Sequence, residues 1–179
     1  MQVIDQAIED FNQAIRLDLN YTEAYIERGL EHYYRGNFDQ AIEDYTQAIR
    51  ISRNNRRNYP SAYNNRGNAH SEKGNLNQAI ADYNQAIRLN RNYADAYYNR
   101  GIVHEKRGNL NQAIASFNQV IRLDRNFLGA YIHRGNAHFD KGNFDQAIAD
   151  YEAALRLDPN NSYAKQRLRL AEARQRRGR

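Results

Sequence analysis

The sequence has no cysteine and no tryptophan, and its 179 residues include only two prolines and ten glycines. Without cysteine there is no disulfide, no thiolate metal ligand and no cysteine nucleophile. So few prolines and glycines exclude a proline-rich or glycine-rich linker protein. No apolar run approaches the roughly 20 residues that span a bilayer, and the first ten residues carry no basic segment of a signal peptide. We therefore expect a soluble, cytoplasmic protein.

Positive charge is concentrated at one end of the chain, although the formal net charge is +5. Residues 163–179 contain seven lysines and arginines against a single acid, Glu172. The rest of the chain is therefore close to neutral, and the basic surface belongs to the tail.

Four rows of similar sequence make up most of the chain. They begin at Ala24, Ala62, Ala96 and Ala130, which are 38, 34 and 34 residues apart, and the second row reads AYNNRGNAHSEKGNLNQAIADYNQAIRL. Apolar residues recur at spacings of three and four in both halves of each row, so each row predicts two helices. Before the first row, IDQAIEDFNQAIRL is the second half of another copy.

A Gly-Asn pair separates the two halves of each row. The glycine is predicted to close the first helix in a left-handed conformation, and the asparagine is predicted to cap the second helix with its side chain. The pairs are Gly36-Asn37, Gly74-Asn75, Gly108-Asn109 and Gly142-Asn143.

These rows resemble the tetratricopeptide repeat in their period of 34, in the aromatic near each start and in the glycine four residues later. The resemblance implies an all-α fold in which antiparallel helix pairs stack into a right-handed superhelical solenoid. It also implies a concave groove lined by the first helix of each pair, and a role in binding protein partners. The predicted parts are a half repeat (1–20, second helix only), four repeats (22–59, 60–93, 94–127 and 128–161), and a capping helix with a basic tail (162–179). The first repeat has a junction four residues longer than the others, either a further helical turn or a loop.

Two further contacts are predicted between the helices of a row. A glycine inside a helix costs about 1 kcal/mol relative to alanine, so the glycines at 29, 67, 101 and 135 are expected to face alanines 41, 79, 113 and 147. The arginine before each glycine is expected to pair with an aspartate of the second helix. These pairs are Arg28 with Asp44, Arg66 with Asp82 and Arg134 with Asp150, whereas Arg100 meets Ser116 at that place and needs another partner.

Catalysis, cofactors and metals are not expected. The spacing of the glycines does not match a phosphate-binding loop, and no nucleophile, base and acid fall together. A histidine recurs in every row, but packed helices are on the order of 10 Å apart, too far to share one ion. These histidines (His32, His70, His104 and His138) are predicted to pack against the scaffold.

The predicted partner-binding groove is the inner face of the first helices. Counted together with Asp140 and Lys106 at its border, it holds six carboxylates against one lysine, so a neutral to basic peptide is expected. Its asparagines offer donors and acceptors to a peptide backbone, and its aromatic residues offer apolar anchors. The groove residues are Glu23, Ile26, Glu27, Leu30, Tyr33, Tyr34, Asn64, Asn65, Asn68, Glu72, Asp95, Tyr98, Asn99, Ile102, Glu105, Ile132, His133, Asn136 and Phe139.

The resemblance also raises the carboxylate clamp with which some tetratricopeptide domains hold chaperone C-termini. Asn65, Asn68 and Asn99 correspond to its asparagines, but Asn64, Ile26 and Asp95 stand where cations are needed. Chaperone tails are therefore not the expected ligand.

Two other functions stay open. The tail and the arginines of the first junction (Arg53, Arg56 and Arg57) offer an alternative site for RNA, although nucleic acid is the less favoured partner. The half repeat leaves one helix face without a partner, so we expect either that the chain is a fragment of a longer array or that this face packs on another copy. The basic tail also allows self-association.

Overall fold

The structure is a computed structural model that describes the backbone of residues 2–54 and 59–177, and the side chains of these ranges from residue 6 onward. Ten helices and no strand occupy these described residues, which confirms the all-α prediction. The helices are α1 (Gln2–Leu17), α2 (Thr22–Tyr34), α3 (Phe38–Asn54), α4 (Pro60–Glu72), α5 (Leu76–Leu89), α6 (Ala94–Lys106), α7 (Leu110–Leu123), α8 (Leu128–Asp140), α9 (Phe144–Leu157) and α10 (Ser162–Arg177).

The chain divides into two compact units, Met1–Ala96 and Tyr97–Arg179. In the first unit each helix from α1 to α4 packs against the next one along the chain, and α2 also contacts α4. In the second unit α8 packs against α7 and α9, and α10 packs against α9 and contacts α8. Both units are therefore built from helices that contact their neighbours in sequence, as local repeats require.

The turn inside each row is closed by a glycine, as predicted. Gly36, Gly74, Gly108 and Gly142 have φ angles of 76°, 78°, 72° and 78°. At the second turn the Asn75 N–H donates to the His70 carbonyl at 2.8 Å and the Gly74 N–H donates to the Ser71 carbonyl at 3.0 Å. This pair of bonds is the Schellman motif, which satisfies the last carbonyls of the first helix.

The predicted asparagine caps are wrong at the three turns from Asn75 onward. The side chains of Asn75, Asn109 and Asn143 make no capping hydrogen bond, and Asn75 has φ −79° and ψ 61°. Each asparagine N–H is already used to close the preceding helix. The backbone is therefore not in the extended conformation from which a side chain reaches back to the new helix.

The nearest neighbours of the glycines inside the first helices are aromatic rings, whereas the sequence predicts alanines at that place. A Cβ at Gly67 would lie 2.7 Å from Cε1 of Tyr83, and one at Gly101 would lie 2.5 Å from Cε1 of Phe117. Gly29 and Gly135 meet Tyr45 and Tyr151 in the same way. Within each pair, the ring of the second helix reaches the backbone of the first.

The predicted arginine–aspartate pairs are confirmed. The Nη2 atoms of Arg28, Arg66 and Arg134 lie 2.5, 2.6 and 2.5 Å from their aspartate oxygens. Each guanidinium also lies over the tyrosine three residues earlier, at 5.5 Å from the ring centroid for Arg28. In the third row the Arg100 Nε donates to Ser116 Oγ at 3.1 Å, and burial lowers the pKa of Arg100.

The long first junction is partly helical. Helix α3 has 17 residues and continues to Asn54, whereas α5 has 14. Residues 55–58, which include Arg56 and Arg57 of the alternative RNA site, lie outside the described residues, as do 178–179.

Candidate functional site on the first helices

In the first unit, tyrosines and carboxylates of α2 and α4 form part of the predicted groove. Tyr34 is 74% exposed, and its ring meets the half-buried Tyr33 edge-on at 5.9 Å. Burial and the nearby Glu72 raise the pKa of Tyr33. Tyr33, Tyr34 and Glu72, together with the exposed Glu27 and the half-buried Asn65, are called the tyrosine face below.

Other predicted residues of this unit have structural partners. Glu23 accepts a hydrogen bond from the Tyr59 hydroxyl at 2.5 Å, and the Asn68 Oδ1 accepts one from the Tyr83 hydroxyl at 2.9 Å. Ile26 and Asn64 are only 8% and 4% exposed, so they contribute to the scaffold. Leu30 is half-buried and Asp95 is exposed.

In the second unit, the structure brings three predicted residues into one cluster. The His133 Nδ1 lies 2.8 Å from the Glu105 Oε2, and the Tyr98 ring meets the His133 ring edge-on at 5.6 Å. His133 also stacks on Phe117 at 5.7 Å. We call Tyr98, Glu105, Phe117, Phe127 and His133 the Tyr98 cluster. Beside it, Asn99, Ile102 and Ile132 are half-buried.

Sequence reasoning did not place Phe127 in this arrangement. Phe127 lies 4.8 Å from Tyr98, ring to ring, and a Cβ at Gly129 would lie 2.8 Å from the Tyr98 hydroxyl. The signal was present, because an aromatic stands three residues before the start of every row. These residues are Tyr21, Tyr59, Tyr93 and Phe127.

Helix α10 covers two further predicted groove residues. Asn136 is 8% exposed and hydrogen-bonds to Tyr163, Tyr151 and Arg167. The Arg167 guanidinium lies 4.5 Å from the centroid of the Phe139 ring. A partner would have to displace α10 to reach Asn136, so this part of the predicted groove is occupied by the chain itself.

The repeated histidines are half-buried in the scaffold. The Nδ1 atoms of His32, His70, His104 and His138 are buried without a hydrogen-bond partner in the described part of the chain, and burial lowers their pKa values. Among the described side chains, no group of three or more metal-ligating residues lies close enough together to hold an ion. In the described ranges, no helix has both the length and the apolar character needed to cross a bilayer.

Consecutive helical hairpins with a recurring Arg-Gly pair define a helical repeat protein. A family model described as TPR repeat matches residues 29–74 and 67–108, and one described as Tetratricopeptide repeat matches 94–127 and 129–161. The chain belongs to the tetratricopeptide repeat family. It is an all-α solenoid of this type.

Solved structures of the same fold are similar over most of the chain. MamA is 28% identical, with a TM-score of 0.81 over 89% of this chain and 91% of that one. The first tetratricopeptide domain of Spaghetti, bound to the HSP90 peptide SRMEEVD, is 26% identical, with a TM-score of 0.62 over 64% of this chain and 90% of that one. A repeat protein from Cytophaga hutchinsonii shares the fold at 22% identity, with a TM-score of 0.86 over 98% of this chain and 67% of that one. No curated protein sequence matches this chain.

Proposed function

We propose that this chain is a non-catalytic interaction scaffold that binds a neutral to basic peptide segment of a protein partner on the inner face of its first helices. The observation that carries the proposal is the tyrosine face. It presents a largely exposed tyrosine beside a half-buried one, with carboxylates at its border.

The physical argument concerns what this face offers a ligand. A tyrosine loses little conformational entropy on binding and provides a large apolar ring with a polar end. Glu27 and Glu72 are exposed and attract a positively charged segment. The Tyr98 cluster offers a second aromatic contact whose rings are held by each other and by the Glu105–His133 pair. Rings already held in place need little further ordering when a ligand binds.

The Spaghetti domain bound to an acidic HSP90 peptide suggests the opposite ligand charge, and the described residues argue against that ligand here. Ile26 and Asn64 are buried, and Asp95 is an exposed acid. None of the three provides the cation that would pair with a peptide carboxylate. We therefore propose a partner segment that carries lysine or arginine near an apolar side chain.

The test is a peptide-display screen on the full chain, followed by fluorescence anisotropy with the selected peptides. We expect enrichment of basic sequences. Tyr34→Ala and Glu72→Lys should each weaken binding by about tenfold or more, because the first removes the exposed aromatic anchor and the second repels a basic ligand.

Two substitutions serve as controls. Leu17→Ala removes a side chain that is 83% exposed on α1, and Glu152→Lys reverses an exposed charge on α9. Both should leave the affinity unchanged. A screen that returns only acidic peptides, with Lys106 required for their binding, would refute the proposed ligand chemistry.

A further inference from the structure

Two of the four rows combine an aromatic ring late in the first helix with a tyrosine hydroxyl in the second helix. In the first row these residues are Tyr33 and Tyr45, and in the fourth row they are Phe139 and Tyr151. In both rows the ring packs on the aromatic residue five positions later, with ring centroids 5.5 and 5.4 Å apart. The second row has a serine in place of the ring, and the third row has a phenylalanine in place of the tyrosine.

In the fourth row this arrangement holds an arginine of the chain itself. The Arg167 guanidinium of α10 lies 4.5 Å from the centroid of the Phe139 ring. Its Nε donates to the Tyr151 hydroxyl at 3.2 Å and to the Asn136 Oδ1 at 3.1 Å. The ring face attracts the positive charge, and the hydroxyl oxygen accepts one of the guanidinium N–H groups. A ring and a hydroxyl in these two positions therefore form a place for a guanidinium.

In the first row the corresponding hydroxyl has no partner. Tyr45 is 0% exposed, and its hydroxyl makes no hydrogen bond to any described residue. In the second and fourth rows the tyrosine hydroxyl donates to an asparagine of the first helix, at 2.9 Å in both. Leu30 stands at that position in the first row and cannot accept a bond. A buried hydroxyl without a partner costs free energy, so a ligand group that bonds to it also removes this cost.

The unpartnered hydroxyl lies close to the tyrosine face. Burial raises the pKa of Tyr45, and the nearby Tyr33 and Tyr34 raise it further. Asn65 of α4 stands at the row position of Arg167, three residues after the buried alanine near the start of each helix. The Asn65 amide makes no bond to the Tyr45 hydroxyl. The internal comparison therefore locates this place between α2 and α4, which contact each other in the first unit.

We propose that Tyr33, Tyr45 and Asn65 form a site for an arginine side chain of the partner peptide, and that Tyr45 determines a preference for arginine over lysine. This inference rests on the proposed function, because the arginine belongs to the peptide bound on the tyrosine face. The guanidinium stacks on the Tyr33 ring and donates to the Tyr45 hydroxyl, as Arg167 does in the fourth row. The half-buried Asn65 side chain turns towards solvent to admit it.

Arginine suits this site better than lysine. A guanidinium is planar, so it can lie on the Tyr33 ring while its edge donates to a hydroxyl. An ammonium group is compact and more strongly hydrated, so it loses more hydration when it is buried. Glu27 and Glu72 are exposed at the border and attract either cation. The preference for arginine therefore comes from Tyr33 and Tyr45.

The first test uses a phage-displayed library of random heptapeptides in which arginine and lysine are equally frequent. Selection on the full chain should enrich arginine over lysine, whereas selection on the Tyr45→Phe variant should enrich both alike. Replacing the selected arginine by lysine should weaken binding to the wild type by about tenfold, and to Tyr45→Phe by less than about threefold, as measured by fluorescence anisotropy. Tyr83→Phe is the matched control. It removes the same atom from α5, where the second row offers no ring, so the arginine preference should be retained.

The second test does not depend on a peptide. Asn65→Arg places an arginine at the row position of Arg167, so the chain should fill the site itself. Urea unfolding should give a higher midpoint for Asn65→Arg than for Asn65→Lys, and adding Tyr45→Phe should remove this difference. Asn65→Arg should also weaken binding of the selected arginine peptides by about tenfold, because the site is occupied.

The outcomes separate this inference from the proposed function. Equal enrichment of arginine and lysine by the wild type, or an arginine preference that survives Tyr45→Phe, would overturn the arginine site and leave the interaction scaffold intact. Equal urea midpoints for Asn65→Arg and Asn65→Lys would also overturn it, as would an equal loss of preference in Tyr45→Phe and Tyr83→Phe. A screen that returns no basic peptide would instead overturn both the proposed ligand chemistry and this inference. Circular dichroism of each variant excludes loss of folding as the cause.

Discussion

Glycine at the middle of each first helix is explained by a neighbouring aromatic ring. An alanine normally stabilises a helix by about 1 kcal/mol relative to glycine. Here the extra methyl would overlap a ring that is itself fixed, since Tyr83 is 2% exposed and Phe117 is 0% exposed. The need for this glycine was predictable from its position inside a helical pattern. The ring that causes it was not, because spacing alone does not show how far a side chain reaches.

Replacing Gly67 by Ala should destabilise the protein by about 1–3 kcal/mol, despite the better helix propensity of alanine, because the core is overpacked. The new Cβ would lie 2.7 Å from Tyr83. Urea unfolding followed by circular dichroism measures the change. Gln78→Ala, at an exposed site of α5, should be neutral or slightly stabilising. A Gly67→Ala variant as stable as the wild type would contradict the ring contact.

The third row allows a test of the arginine–aspartate pairs, since serine replaces the aspartate of the other rows. Ser116 is 0% exposed and accepts a bond from Arg100. Ser116→Asp should stabilise the protein by about 1 kcal/mol, because the carboxylate makes a charge-assisted bond to the guanidinium. In an Arg100→Leu background the same substitution should destabilise, since it buries an unpaired charge. Equal effects in both backgrounds, measured by urea unfolding, would show that Arg100 does not reach the new carboxylate.

At the level of the helices, the turns show where sequence patterns succeed and where they fail. A glycine after a helical pattern correctly predicted a left-handed closing residue, because few other residues adopt that conformation at low cost. Asparagine is favoured at helix starts, but here its N–H is part of the preceding helix closure, at 2.9 Å from the His138 carbonyl for Asn143. The preference of asparagine for helix starts does not show whether its N–H is already used to close the helix before it.

The two residues of one turn should therefore respond differently to alanine. Gly142→Ala should cost about 1 kcal/mol, because its φ of 78° is strained for alanine. Asn143→Ala should cost less than about 0.5 kcal/mol, well below the usual loss for a helix cap, because its side chain makes no capping bond. Thermal unfolding of the two variants compares them directly. If the asparagine were a true cap, its loss would instead be about 1 kcal/mol, similar to that of the glycine.

At the level of the whole molecule, the 34-residue period predicted the helices, their order and the family, because each row must bury the same face. The accessibility of the groove residues was harder to predict. Asn64 and Asn136 resemble groove residues in sequence, yet both are buried. Asn136 is covered by α10 through Arg167, and this cover depends on a helix that does not repeat the row pattern. The repeated pattern predicts the helices well, whereas the accessibility of groove residues depends on features, such as α10, that do not follow the pattern.

The repeated histidines should make the stability of the whole molecule depend on pH in one direction. Burial lowers the pKa of His32, His70, His104 and His138 below the usual value of 6.5. As the pH falls through about 6.5, the unfolded chain gains protons that the folded chain does not, so the free energy of unfolding decreases.

We therefore expect a lower urea midpoint at pH 5.5 than at pH 7.5 and constant ionic strength, with most carboxylates still ionised in both buffers. Every influence on His104 lowers its pKa, namely burial, Arg100 and Arg107. Its three counterparts each have a nearby aspartate that partly offsets the shift. His104→Gln removes a titrating group from a site where all surroundings disfavour the protonated form. It should therefore reduce the difference between the urea midpoints at pH 5.5 and pH 7.5. A protein that is equally stable or more stable at pH 5.5 would show that these side chains accept a proton without loss of packing, and that their burial does not control the acid response.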